Sequence, residues 1–306
     1  MVQRGAFLLL AAAVLTGAAR VPAHTAEPSG SADTVYVYDG YAAKTDAAFD
    51  AASLDRAAYR FQHLYDLYFT GRTVYLAVVP DKAQFTVPPE GYTPAGAAET
   101  ADCLCGALDF LTPVDIAAGL TLADYYRTDP HWRQERLRPT ADALLTAMGA
   151  PVSGTRDEAL CALEGDFHGS YWGKTEEPLE PDTLAYLTSP VLDSCTVHNY
   201  ETDTDGGVYD FSAAQDAPYD LFLSGSRSLL RIDSPQALSD RTLVVFRDSF
   251  GSSLIPLLAE SYRTVYAVDI RYLSSDLLGR FVDFPADADV LLLYSTTVLH
   301  NSITLK

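Results

Sequence analysis

Residues 243–260, Leu-Val-Val-Phe-Arg-Asp-Ser-Phe-Gly-Ser-Ser-Leu-Ile-Pro-Leu-Leu-Ala-Glu, constrain the fold more than any other stretch of the chain. Four consecutive apolar residues, 243–246, read as a strand buried on both faces, and the apolar run from Leu254 reads as a helix. Between them lies a polar corner, Arg247-Asp248-Ser249. A buried strand that turns directly into a helix is the unit of an open α/β sheet, and in such sheets ligands bind at the carboxyl ends of the strands. The helix would aim free N–H groups and the positive end of its dipole at the corner, an environment that suits an oxyanion. Ser249 is therefore a candidate nucleophile. Serine is also a preferred N-cap residue, so the stretch alone leaves capping by Ser249, Ser252 or Ser253 as the plainer role. It is not the elbow of the lipases, because Gly-x-Ser-x-Gly would need glycine where Arg247 stands.

The rest of the chain repeats the same grammar. Residues 52–69 carry helical spacing (Leu54, Ala58, Phe61, Leu64, Tyr65, Tyr68), and 73–79, Thr-Val-Tyr-Leu-Ala-Val-Val, form a continuous apolar strand stopped by Pro80-Asp81-Lys82. Further strands are expected at 34–38, 109–114, 264–270 and 289–294, and a helix at 139–148 with proline near its first turn. Residues 83–106, rich in Pro, Gly and Ala, read as a loop. Residues 150–217 show little periodicity and read as a loop-rich insertion over one rim of the sheet. The expected architecture is a three-layer α/β domain over 34–306 with a mostly parallel sheet.

The first 25 residues carry Arg4, an apolar run over 6–15 and small residues with Ala23 and Thr25 placed for cleavage before Ala26, the pattern of an export signal or N-terminal anchor. Residues 26–33 are a polar tether. An extracytoplasmic location follows, secreted or held at the membrane by that segment. Net charge is −20, and loss of Arg4 and Arg20 with the signal makes it −22. A field of that sign argues against nucleic acid or anionic lipid as partner. Export would let Cys103, Cys105, Cys161 and Cys195 oxidise, and a bridge from Cys161 to Cys195, or from either to the 103/105 pair, is open.

A second chemical run precedes the serine by more than a hundred residues. In Asp129-Pro130-His131 the acid stands two residues before the imidazole, near enough to hold its Nδ1 side and leave Nε2 facing a hydroxyl. Pairs of this spacing also arise by chance, so a structural His131 stays open on spacing alone. Arg271, expected to emerge at the same sheet edge, could hold a substrate carboxylate or carbonyl, or pair with a neighbouring acid. His168, in Asp-Phe-His-Gly-Ser-Tyr-Trp, lies beside aromatics that suit sugar rings or local packing. Asp129, His131, His168 and His198 are able to ligate a metal, but no tight spacing joins them, and neither metal nor cofactor is expected.

The run Tyr126-Arg127-Thr128-Asp129-Pro130-His131-Trp132 resembles the signature of the DHHW family of bacterial exported proteins, and Arg247-Asp248-Ser249-Phe250-Gly251 resembles its Lys/Arg-Asp-Ser-Phe/Tyr box. Val79-Pro80-Asp81-Lys82, residues 219–225 (Tyr-Asp-Leu-Phe-Leu-Ser-Gly) and Val268-Asp269-Ile270-Arg271-Tyr272 match in the same order, so the resemblance spans roughly 33 to 300. That family is similar to the alginate O-acetylation proteins of the SGNH-hydrolase-like superfamily. The resemblance implies an SGNH-like domain with Ser249 as nucleophile, His131 as general base, Asp129 as its orienting acid, Gly225 and Ser226 at the oxyanion hole, and Trp132, His168 and Arg271 at the substrate. It implies an acyl esterase or O-acetyltransferase acting on a polysaccharide or acylated sugar, with a membrane-bound O-acyltransferase as possible donor partner.

Two positions depart from the pattern. Pro130 replaces the first histidine and leaves Asp-x-His intact. Ser224-Gly225-Ser226 stands where Gly-Gly-Asn is usual, and loss of an asparagine donor would cost about 10²–10³ in rate if nothing replaces it. That departure motivates the other reading, a non-catalytic glycan-binding or envelope-assembly protein on the same fold.

Overall fold

A computed structural model describes residues 33–306. The leader at 1–25 and nearly all of the tether lie outside the described residues. The chain opens with a hairpin, β1 (Val35–Tyr38) and β2 (Tyr41–Lys44), then α1 (Ala51–Tyr68), β3 (Val74–Val79), α2 (Ala97–Ala107) and β4 (Leu111–Pro113). After α3 (Arg138–Ala147) comes a second hairpin, β5 (Ala159–Ala162) and β6 (Ala185–Thr188), followed by α4 (Pro190–Ser194), β7 (Thr196–Asn199), β8 (Thr204–Gly206) and β9 (Leu229–Asp233). β10 (Thr242–Arg247), α5 (Gly251–Ala259), β11 (Thr264–Val268), β12 (Asp289–Ser295) and α6 (Thr296–Leu299) complete it.

Eight strands form one sheet in the order β4-β3-β12-β10-β11-β9-β7-β8. From β4 to β11 neighbours run parallel, and β9, β7 and β8 are added antiparallel. Alternation along the central strands sorts the core into two layers. Leu243 and Val245 of β10 pack with Leu291 and Leu293 of β12 against α3 and α5. Val244 and Phe246 pack with Val290, Leu292 and Tyr294 against α1, through Leu54, Phe61 and Leu64, and against Leu104 of α2. Strands covered by helices on both faces are what a continuous apolar run requires, and the result is a three-layer α/β domain.

Topology decides where a ligand can approach. From β10 the chain crosses to β11 on one side, and β12 returns on the other side of β10. The order thus reverses at β10, and the crevice at its carboxyl end is where doubly wound sheets bind ligands. Ser249 stands two residues beyond that end.

Three expectations require correction. Residues 97–107, read as part of a loop, are helix α2: Ala-Ala-Glu-Thr-Ala-Asp-Cys-Leu-Cys-Gly-Ala has strong helix formers, with Gly96 at its N-cap position. Within 150–217, residues 196–206 supply two strands of the main sheet. They are too short and too polar for alternation to announce them. The four cysteines are free thiols. Cys195 is buried with its thiol toward Val191 O, and Cys161 lies on the β5–β6 hairpin beside Thr188.

Candidate active site

The corner after β10 is locked by the two residues before the serine. Asp248 is fully buried; one carboxylate oxygen accepts from Phe250 N–H at 3.0 Å and the other from Ser295 N–H at 2.7 Å, tying the turn to the neighbouring strand. Arg247 is also fully buried and donates to Ser252 Oγ at 3.0 Å and to Gly225 O at 3.1 Å. Gly251 lets the helix start against that side chain: a Cβ there would come within 2.8 Å of Arg247 Cβ. None of the three serines caps α5, whose N-cap residue is Phe250 and carries no side-chain cap. Ser252 receives Arg247, Ser253 receives Trp132 Nε1 at 3.1 Å, and Ser249 faces the imidazole.

The imidazole arrives on a short loop. Tyr125 and Trp132 form a bridge, and Tyr126 N–H donates to His131 O at 3.0 Å, so 126–131 closes on itself with Asp129 and His131 at its end. Asp129 Oδ1 lies 2.5 Å from His131 Nδ1, and His131 Nε2 lies 2.8 Å from Ser249 Oγ. With Nδ1 donating to the carboxylate, Nε2 is left to accept the serine proton. Burial pushes the Asp129 carboxyl up, but the His131 charge and hydrogen bond, with the N–H groups of Ser170 and His131, outweigh it and hold the group at about 2. It is an anion at neutral pH.

Neighbouring segments hold this loop. Asp182, in the insertion, accepts from Arg127 N–H and Thr128 N–H at 2.8 Å each and from Thr128 Oγ1 at 2.7 Å. Ser170 N–H donates to Asp129 Oδ2 at 2.9 Å, and Gly169 N–H to Thr128 Oγ1 at 2.9 Å. Tyr219 lies flat on His131, with centroids 3.9 Å apart and planes 11° apart, and its hydroxyl is 3.0 Å from Ser253 Oγ. Tyr126, Phe167, Leu184, Leu221 and Phe222 form a small separate core with Tyr219 beneath the loop. Asp182, Gly169, Ser170 and Tyr219 carry no signal in composition or periodicity; only the match over 219–225 marked one of them in advance.

The other expected residues divide. His168 is exposed and stacks on Trp172 at 4.1 Å, next to the Gly169–Ser170 contact with Asp129. Trp132 is fully buried, its indole N–H donating to Phe250 O at 3.0 Å, so it braces the turn that carries Ser249 and offers no surface to a ligand. Arg271 is held by both carboxylate oxygens of Asp269, at 2.7 Å and 2.9 Å, because a buried aspartate two residues away is a nearer partner than any ligand. Gly225 sits at φ +75°, where a Cβ would strike the Asp220 carboxylate at 2.2 Å, and its N–H donates to Phe222 O at 3.0 Å. That N–H, expected at the oxyanion hole, is therefore occupied, and Ser226 is an exposed turn residue. The Ser249 N–H, by contrast, has no acceptor among the described residues and stands just before α5. His198 pairs with Asp205 at 2.9 Å, and among the described residues no group of His, Cys, Asp and Glu gathers as a metal site.

Several solved structures share this fold. A DHHW family protein from Eubacterium siraeum superposes with a TM-score of 0.67 at 22% identity, over 90% of this chain and 96% of that one. The chain has the DHHW fold. PatB1 of Bacillus cereus, whose structure is also known with a sulfonyl adduct, gives a TM-score of 0.64 at 18% identity over 87% of this chain and 96% of its own. The O-acetyltransferase domain of Pseudomonas putida AlgJ gives 0.52 at 15% identity over 88% and 93%. Neither a family profile nor a curated protein sequence matches the chain. The breadth of these superpositions bears out the fold expected of a DHHW-like and alginate-acetylation-like chain, with its mostly parallel central sheet.

Proposed function

We propose that this protein is an exported serine-dependent O-acetyltransferase or acetylesterase acting on a cell-envelope or secreted polysaccharide. The observation that carries the reading is the continuous hydrogen-bonded line from Asp129 through His131 to Ser249 at the switch point of the sheet. In the proposed reaction Ser249 Oγ attacks an acyl carbonyl while His131 Nε2 takes its proton. Asp129, already ionised, stabilises the imidazolium that forms. The oxyanion would lie before α5, against the Ser249 N–H and the positive end of the helix. The imidazolium protonates the departing oxygen, leaving acyl-Ser249, and water or a sugar hydroxyl, deprotonated by His131, completes the cycle. The acetyltransferase domain and the sulfonyl adduct among the structural neighbours favour this class of chemistry. A membrane-bound O-acyltransferase is the proposed source of the acyl group. Among the described residues no helix is long and apolar enough to cross a membrane.

The occupied Gly225 N–H and the exposed Ser226 favour a second reading, a glycan-binding protein that keeps the fold with a weakened oxyanion hole. Incubation with p-nitrophenyl acetate and a polysaccharide acceptor separates the two. The enzyme reading expects p-nitrophenol release with acetyl appearing as acetate or on the acceptor. Binding of the acceptor with no release above buffer would leave the second reading standing.

A further inference from the structure

Lys82 closes the motif Val79-Pro80-Asp81-Lys82 just beyond β3, and nothing in the reaction above uses it. Only 1% of it is exposed. Its Nζ donates to Tyr126 O and Asp129 O at 2.8 Å each and lies 3.4 Å from Arg127 O. Among the described residues no carboxylate comes within ion-pair distance, and the Tyr171 ring lies beneath the ammonium at 5.3 Å. A buried ammonium without a salt bridge is costly unless every proton finds an acceptor. Here the acceptors are main-chain carbonyls of the very loop that carries Asp129 and His131.

We propose that Lys82 is a positioning residue of the candidate active site, its ammonium gathering the carbonyls of Tyr126, Arg127 and Asp129 so that the loop aims the Asp129 carboxylate at His131. This rests on the catalytic reading of that site. The Tyr126 and Asp129 carbonyls meet the ammonium in buried contacts, whereas Arg127 O also accepts from Ala42 N–H at 2.8 Å and is the weaker third partner. One compact group with three donors on a long stem satisfies them together, which the planar fork of arginine would not. Burial lowers the Lys82 amine to about 8, opposed by the charges of Asp129, Asp81 and Asp182, so at neutral pH it remains mainly the three-donor cation.

The test compares Lys82→Met, which keeps length and apolar stem but removes the donors, with the unsubstituted protein. The Nδ1 proton shared by His131 and Asp129 is read by proton NMR, and p-nitrophenyl acetate turnover and near-UV circular dichroism are followed in parallel. The expected result is a native circular dichroism spectrum, loss of the strongly deshielded Nδ1 proton, and kcat down by about 10²-fold with KM within about twofold, the scale expected for a misplacement of about 1 Å. Should Lys82→Met not fold, Lys82→Arg, which keeps the charge but replaces the compact three-donor head by a planar fork, takes its place with the same readouts and the same expected loss. An unchanged Nδ1 resonance in a folded variant overturns the proposal. The NMR signal needs no turnover, so an inactive wild-type protein would remove the enzymatic reading and still leave the role of Lys82 decided by the resonance.

Discussion

Ser249→Ala and His131→Ala are each expected to lower turnover of an activated acetyl ester by about 10³-fold or more, and the double variant to lower it scarcely further. The expectation follows from one shared proton. Ser249 Oγ is a weak nucleophile without a base 2.8 Å away, and the imidazole has no attacking group to activate once that oxygen is gone. Residues that act as a unit lose their effect together, so the two losses should not add. Stability should hardly change in Ser249→Ala, because water can replace the lost hydroxyl as partner of Nε2. His131→Ala, in contrast, also removes the Tyr219 stack and the partner of the buried Asp129 carboxylate and should lower the melting temperature. Steady-state kinetics on the two single variants and the double variant, with thermal unfolding of each, check this. Strictly additive losses would mean that the two side chains do not operate on one proton.

Gly169→Ala is expected to lower kcat by about 10²-fold and to destabilise the fold by about 1–3 kcal/mol. A Cβ at this position would fall 2.3 Å from Asp129 Cβ and 2.6 Å from Thr128 O, and neither is the free end of a flexible side chain. The backbone of one segment or the other must move. Whichever moves, the Ser170 N–H bond to Asp129 Oδ2 and the Gly169 N–H bond to Thr128 Oγ1 are stretched, and the carboxylate is turned from His131 Nδ1. Gly106→Ala is the control. It lies in α2 with nothing within 4 Å of the added methyl, so it should leave activity alone and stabilise the helix by about 0.5–1 kcal/mol. Kinetics and thermal melts of the two alanine variants decide the matter; equal activity would show that Gly169 does not set the position of Asp129.

Part of this was legible in the sequence because it depends on short-range pattern. The run 243–246 reads as a buried strand from four residues alone, and Asp129 and His131, two residues apart, could meet within one loop. The match of the Asp-Pro-His and Arg-Asp-Ser boxes to the DHHW pattern then supplied the long-range pairing that periodicity cannot. What remained hidden depends on contacts between distant segments. Asp182 meets Arg127 and Thr128 across 54 or 55 positions, and nothing local distinguishes that aspartate from its many acidic neighbours. Lys82 enters the sequence reading only as the end of Pro80-Asp81-Lys82 after a strand, because the carbonyls it meets lie 44 and 47 positions further on. A cation or aromatic beside a reactive motif invites a substrate role, but Arg271 takes the other course open to it and pairs with Asp269, and Trp132 is held by Phe250 O.

The central claim is that Ser249 carries the acyl group, and the most direct measurement is to find it there. The protein is mixed with p-nitrophenyl acetate, quenched in acid within the first turnovers, digested and analysed by peptide mass spectrometry. Acetyl on the peptide containing Ser249, and its absence there in His131→Ala, is the predicted result. Acetyl confined to surface lysines, or equal labelling of Ser249 with and without His131, would contradict the account.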